Sequence, residues 1–218
     1  MKNFTIGIIR EGKVPPDHRV ALTPNQCVQI QSTYPTVKFV IQPSPIRAYK
    51  DEEYVSKGLE LNEDLSACDL IIGVKEVNIA DLIPNKKYFF FSHTIKKQVH
   101  NRKLLQAVLE KNIELYDHET IVDANNRRLI GFGRYAGIVG AYNGFRAFGI
   151  KYDLFTIPKA ETLQSKEDLI TRLKRQTLPN IKIVLTGHGK VGMGAKEILD
   201  GMKVKQVSTD DFLNKIYI

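Results

Sequence analysis

Two neighbouring runs constrain the fold of this chain more than any other feature: Asp69-Leu-Ile-Ile-Gly-Val-Lys75-Glu76 and Tyr88-Phe-Phe-Phe-Ser-His93-Thr94. Each is a short apolar stretch that ends in polar, ionisable side chains. A run of Leu, Ile, Val or Phe bounded by turn signals reads as a strand buried on both faces of a parallel sheet. Ligands of such sheets bind beyond the carboxyl ends of the strands. Lys75 and His93 both fall at such an end. Alone, either residue more often decorates a surface or caps a strand. Matched at the ends of consecutive core strands, an amine and an imidazole face one crevice, where they can move protons near neutral pH and orient a carboxylate.

The rest of the chain repeats strand and helix in alternation. Phe4 to Arg10 reads as the first strand. The loop that follows carries Lys13, Arg19 and a double proline that keeps it out of helix. Thr23 before Pro24 is an N-cap with proline at the first helical position, so a helix should run to about Ser32. Val37 to Ile41 is a second strand. Asp51 to Lys57 is helical and is closed by Gly58. Apolar residues at Val99, Leu104, Leu105, Val108 and Leu109 make a helical stripe over Gln98–Lys111. Ile113 to Tyr116 is a further strand. Residues 117–133 form a loop with a short hairpin turned by Asn125-Asn126. The expected fold is α/β: a doubly wound, mostly parallel, Rossmann-like sheet over residues 1–133.

Residues 134–218 read differently. Arg134 to Phe148 is one long helix with small residues at helical spacing: Ala136, Gly137, Gly140, Ala141 and Gly144. A face this small admits another backbone, either within a packed core or where a linking helix lies against a second domain. Lys166 to Arg175 is helical. Pro179 to Thr186 reads as a strand leading into Gly187-His-Gly189-Lys190-Val191-Gly192-Met-Gly194, which opens a helix. That is the strand, glycine turn, helix order of a dinucleotide-binding unit. The first glycine makes the turn, the second admits a pyrophosphate, the third lets helix and strand pack, and the helix N-terminus holds the phosphates. Val204 to Ser208 reads as the next strand, and Asp210 or Asp211 falls about where a ribose-binding acid is expected. A complete nucleotide domain needs more strand–helix units, so a truncated second domain, part of a longer chain, is the expectation.

Composition narrows the function classes. With 218 residues there is room for one large domain or two small ones. No apolar stretch predicts a transmembrane helix, and the N-terminus runs into a strand without a signal-peptide pattern. Cys27 and Cys68 form neither a disulfide framework nor a metal-ligand spacing, so no metal is expected and a cytoplasmic setting fits. The net charge of +8 is scattered rather than gathered into a basic block, which argues against nucleic acid; such a surface could attract an anionic small molecule, but its plainest reading is solubility with no partner implied.

These residues together resemble the alanine dehydrogenase and nicotinamide nucleotide transhydrogenase N-terminal family. The opening Ile9-Arg-Glu11-x-Lys13 … Arg19-Val-Ala-Leu-Thr-Pro24 is similar to that family's N-terminal signature, Val74-Lys75-Glu76 to its "VKE" strand end, and His93 stands where its catalytic His does. Phe132-Gly-Arg-Tyr135-Ala-Gly137-Ile-Val-Gly140-Ala and the glycine turn resemble most closely the lysine-forming saccharopine dehydrogenases. The resemblance spans nearly the whole chain. It implies NAD as cofactor, an amino-acid or 2-oxo-acid substrate, and oxidation of saccharopine to lysine and 2-oxoglutarate. Lys75 and His93 would be catalytic. Arg19, Lys13, Glu76, Glu119 and Arg128 would bind substrate. Gly187, Gly189, Lys190, Val191 and Gly192 would bind the cofactor. Alanine dehydrogenase is the alternative, and a non-catalytic ligand-binding module is a second.

Overall fold

The computed structural model describes residues 3–214. The chain divides between Gly131 and Phe132 into two compact units.

The first unit is built on a six-stranded sheet in the order β3-β2-β1-β4-β5-β6, with every pairing parallel. Its strands are β1 (Phe4–Ile8), β2 (Val37–Ile41), β3 (Glu60–Leu61), β4 (Leu70–Ile72), β5 (Lys87–Phe90) and β6 (Glu114–Asp117). Its helices are α1 (Pro24–Thr33), α2 (Asp51–Val55) and α3 (Arg102–Glu110). The fold is α/β and Rossmann-like, as the alternation predicts. Alternate residues of the central strands face opposite sides. Ile8, Phe39 and Ile41 pack with Cys27 of α1 and Tyr54 of α2. Ile71, Tyr88 and Phe90 pack with Leu104, Ala107 and Val108 of α3. The side chain that a Cβ at Gly7 would meet first is Cys68, with its Sγ 3.0 Å away, so the bare backbone of β1 lets the crossing segment from β3 to β4 lie flat on the sheet.

The local signals were accurate. Thr23 accepts from the Gln26 N–H while the Gln26 side chain takes the Thr23 N–H, a complete capping box ahead of Pro24. Gly58 sits at φ +75° just beyond α2. Other boundaries moved. The segment from Gln98 opens as a 3₁₀ turn (Val99–Asn101), and regular helix begins only at Arg102. The hairpin at Asn125-Asn126 reduces to a single antiparallel bridge, Val122 to Arg128. The short strand Glu60–Leu61 had no reading in the sequence, because two residues carry no period.

The second unit holds α4 (Gly133–Lys151), α5 (Lys166–Lys174), α6 (Lys190–Gly201) and α7 (Thr209–Asn214). Ile138, Tyr142 and Phe145 of α4, Leu169 and Leu173 of α5, and Ile198 of α6 form its core. The small face of α4 is used where it meets α6. A Cβ on Gly137 would lie 1.9 Å from the Val191 carbonyl oxygen, and one on Gly194 would lie 1.9 Å from that of Arg134. Arg134 and Lys166 clamp the Glu197 carboxylate at 2.5 and 3.2 Å; the Arg134 hydrogen bond comes first in holding that carboxyl down at about 2.

Two expected strands are corrected here. Neither Pro179–Thr186 nor Val204–Ser208 is a strand among the described residues. An apolar β-branched stretch becomes a strand only when a neighbour completes its hydrogen-bond ladder, and neither stretch has one. Val184 is accordingly left 67% exposed. Asp210 and Asp211 lie in the first turn of α7 rather than at a strand end, so the ribose-acid position loses its structural basis. Among the described residues no helix is long and apolar enough to cross a membrane.

Candidate active site

The carboxyl ends of β1, β4, β5 and β6 lie along one edge of the sheet, and each is followed by an ionisable residue: Glu11, Lys75, His93 and Glu119. β4 and β5 are adjacent, so residues three places beyond their ends become neighbours. Lys75 Nζ lies 3.1 Å from His93 Nε2. His93 Nδ1 lies 2.9 Å from Glu119 Oε2. The Lys96 amine meets the same Nδ1 at 3.1 Å, so this ring nitrogen stands between a carboxylate and an amine while Nε2 faces the lysine.

The backbone is bent to make this possible. His93 adopts φ +56°, ψ 9°, the left-handed region that few non-glycine residues occupy, His more often than most. Such strain persists only where the surroundings over-determine it and collects at functional sites. Here the Asp117 carboxylate bonds the Ser92 hydroxyl and also accepts the Glu119 N–H at 2.7 Å, which ties the ends of β5 and β6 together. Thr94 N–H donates to Ser92 Oγ at 3.1 Å and fixes the turn on the other side of His93.

Charges of both signs ring the pair. Lys13 Nζ lies 3.3 Å from Glu76 Oε2, and Glu76 Oε1 lies 3.8 Å from His93 Nε2. Lys96 and Arg128 each approach Glu119 Oε1 at 3.3 Å. The Glu119 side chain is 10% exposed, yet its carboxyl is held below the usual range. Burial acts against this, and the hydrogen bonds from His93 and Lys96 outweigh it. Glu76 is lowered in the same way: burial opposes, while its own backbone N–H and the charges of Lys13, His93 and Lys75 prevail. Lys75 is lowered by burial first; Glu76 works against that, and Lys13 and Arg19 add to it.

Lys13, Lys75, Glu76, His93, Glu119 and Arg128 therefore form one connected network. Arg19 stands beside it. Its Nε donates to Asp17 Oδ1 at 2.8 Å, and its charge acts on Lys75 and Glu11. Three residues around the site had no assignment from sequence. Asp17 lies two places from the opposite charge of Arg19, the signal that could have found it, while Lys96 lies three places from His93 and meets its acid, Glu119, only through the fold. Glu11 lies inside the opening motif. Its oxygens accept the backbone N–H groups of Val74 and Lys75 at 2.6 and 2.9 Å, a contact across 63 and 64 residues that no local pattern reveals.

In the second unit the turn over α6 suits a diphosphate. Gly187 has φ +90°, and a Cβ on Gly187 or Gly189 would meet nothing within 4 Å, which leaves the approach to the helix start open. A Cβ on Gly192 would fall 2.3 Å from the Gly187 carbonyl oxygen, so only glycine closes this turn. Gly189 caps α6, and Lys190 and Val191 are its first residues, at the positive end of the helix dipole.

The model of the alanine dehydrogenase/PNT N-terminal domain matches residues 7–139. The chain belongs to this family. Among similar proteins, an alpha-aminoadipic semialdehyde synthase of Arabidopsis thaliana is 31% identical over 90% of this chain and 20% of its own length. A saccharopine dehydrogenase [NAD(+), L-lysine-forming] of Yarrowia lipolytica is 27% identical over 87% of this chain and 55% of its own. Among solved structures, an L-alanine dehydrogenase superposes with a TM-score of 0.64 at 16% identity, covering 91% of this chain and 52% of that one, a likeness of fold. The family member described here thus spans from a fifth to about half the length of these curated relatives.

Proposed function

We propose that this chain carries the acid–base half of an NAD-dependent amino-acid oxidoreductase. The proposed reaction is that of a lysine-forming saccharopine dehydrogenase: oxidation of a secondary amine to an imine, followed by hydrolysis to lysine and 2-oxoglutarate. The observation that carries the reading is the Lys75–His93 pair, 3.1 Å apart in a crevice whose rim bears Lys13, Arg19 and Arg128. A substrate with three carboxylates suits a rim with several cations better than alanine, which has one. Guanidinium groups hold carboxylates by their planar fork.

NAD, when bound, takes the hydride; in this reading Gly187, Gly189 and Gly192 shape its diphosphate turn, and the amides of Lys190 and Val191 face it. The substrate nitrogen must be neutral before hydride can leave the adjoining carbon. Lys75, whose pKa burial lowers from the ordinary lysine value, would take or return that proton, and His93 sits within one hydrogen bond of it. Glu119 keeps the imidazole oriented and stabilises it when charged. Glu76 offsets the positive charge of Lys13 and Lys75.

Side-by-side assays with NAD+ and saccharopine or alanine test the reading. Turnover of saccharopine with little or none of alanine is expected. The reverse result makes the protein an alanine dehydrogenase. Binding of an amino acid without turnover of either makes it a ligand-binding module.

A further inference from the structure

The loop after β1 places a carboxylate against the backbone at the end of β4. Glu11 turns toward the sheet edge, and its two oxygens receive the consecutive N–H groups of Val74, at 2.6 Å, and Lys75, at 2.9 Å. Those two amides follow Gly73, whose own N–H completes the pairing of β4 with β5 by donating to Phe89 O at 3.0 Å. The Val74 carbonyl still accepts the Phe91 N–H at 3.2 Å, and beyond it the chain leaves the parallel ladder. The carboxylate on the Val74 and Lys75 amides comes from the loop after β1, 63 and 64 residues earlier in sequence. Charge-assisted bonds from a carboxylate to backbone amides are about twice as strong as neutral ones.

We propose that Glu11 is the positioning residue for Lys75: its two-pronged grip on the Val74 and Lys75 amides sets where the lysine amine stands against His93. The grip fixes the Cα from which the Lys75 side chain departs. The amine is thereby held in its half-buried place, 3.1 Å from His93 Nε2. Burial has raised the Glu11 carboxyl above its usual value, against the pull of the two amides and of Arg19, with Asp17 adding to the rise. A carboxyl buried there at the cost of a raised pKa, with two backbone N–H groups as its partners, has a fixed structural task. Lys75 as an acid–base group rests on the proposed function. The grip itself does not, and its test needs no turnover.

Competitive acylation of the whole chain over a range of pH, read by peptide mass spectrometry, gives the titration of the Lys75 amine against exposed lysines such as Lys57. In the parent chain Lys75 should titrate below those references. In Glu11→Gln, which keeps the size of the side chain but replaces one acceptor oxygen with an NH2, the Lys75 titration should move up toward them. Lysines remote from the crevice should be unchanged. If saccharopine is turned over, kcat should fall by about tenfold or more with KM little altered, as for a displaced catalytic group. A folded Glu11→Gln whose Lys75 titrates as in the parent overturns the proposal. Should that variant fail to fold, the parent chain decides. The amide NMR signals of Val74 and Lys75 should shift together, with one midpoint above the ordinary glutamate range, as Glu11 protonates. Two amides that ignore that titration overturn the proposal equally. If the titrations behave as expected while no amine is oxidised, Glu11 keeps its role and the proposed reaction is what fails.

Discussion

The two units respond differently to the same kind of sequence signal. In the first, each apolar run found a neighbour, and the polar residues at the run ends converged on one crevice. In the second, two equally apolar runs found none, while the helices expected at 134–148 and 166–175 and the glycine turn with its helix took the expected form. The difference lies in what each signal requires. Gly187 at φ +90° and the α6 start at Lys190 depend on residues within a few places of one another. A strand depends on a partner that local sequence does not contain. The crevice is consequently specified by contacts distant in sequence, and the glycine turn by local ones.

The largest effect expected breaks the comparison on the side of the first unit. Lys75→Met and His93→Gln should each lower amine oxidation by roughly 10²-fold or more, the usual worth of a positioned acid or base. Both should leave the fold intact, since each side chain lies beyond its strand and outside the apolar clusters. Each should also remove one limb of the pH–rate profile. Arg19→Ala should instead raise KM for the carboxylate substrate while kcat changes less. Wild-type rates in both variants of the pair would remove the acid–base assignment and with it the functional contrast between the units.

The second effect sharpens the comparison on the other side. If the second unit is held by close backbone contact between α4 and α6, a branched side chain at that contact should loosen it without touching the first. A Cβ at Gly137 would lie 1.9 Å from Val191 O and 2.7 Å from the Ala195 nitrogen, both main-chain atoms that cannot rotate away. Gly137→Val should therefore cost about 1–3 kcal/mol, the usual range for overpacking. Amide exchange protection should drop across α4 and α6 and hold in β1, β2, β4 and β5. Equal loss of protection in both units would show that the two are not separately stabilised.

How far the site could be read from sequence follows the same division. Lys75 and His93 were legible because two apolar runs end in them, and the parallel pairing of β4 with β5 did the rest. The cap at Thr23 and the turn at Gly58 were legible because capping is a matter of three or four residues. Glu11, Asp17 and Lys96 were not assigned. The roles of Glu11 and Lys96 exist only once the sheet brings the ends of β1 and β4, and of β5 and β6, together, whereas Asp17 meets Arg19 two residues away and looks in sequence like any solvated loop carboxylate. The left-handed backbone of His93 went unread for a related reason: His enters that region more readily than most side chains, but the tie between Ser92 and Asp117 that helps to hold it joins β5 to β6. The strands expected at 179–186 and 204–208 fail in the opposite sense, with a correct local pattern and no ladder to join.

The smallest effect probes what the crevice rests on. His118 follows Asp117 at the end of β6 and lies only 7% exposed, with its ring 4.1 Å from that of Phe89 and 5.0 Å from that of Phe91. Its Nε2 is 3.0 Å from the Gly73 carbonyl oxygen, while Nδ1 has no partner among the described residues. Burial is the main cause that lowers its pKa below the ordinary 6.5; the bond to Gly73 and the charge of Asp117 resist. The folded chain thus keeps this ring neutral at pH values where the unfolded chain protonates it. Because the unfolded state then binds more protons, stability is full above about pH 6.5 and falls as the pH drops from there toward the folded value. The loss cannot exceed about 1.4 kcal/mol per pH unit for a single group. Urea midpoints at pH 7.5 and 5.5 should show a decrease in the parent chain. In His118→Gln, whose amide can still donate to Gly73 but does not titrate, the decrease should be smaller. A parent chain equally stable at both values, or a variant that loses as much as the parent, would mean that His118 is not the group whose neutrality the crevice depends on.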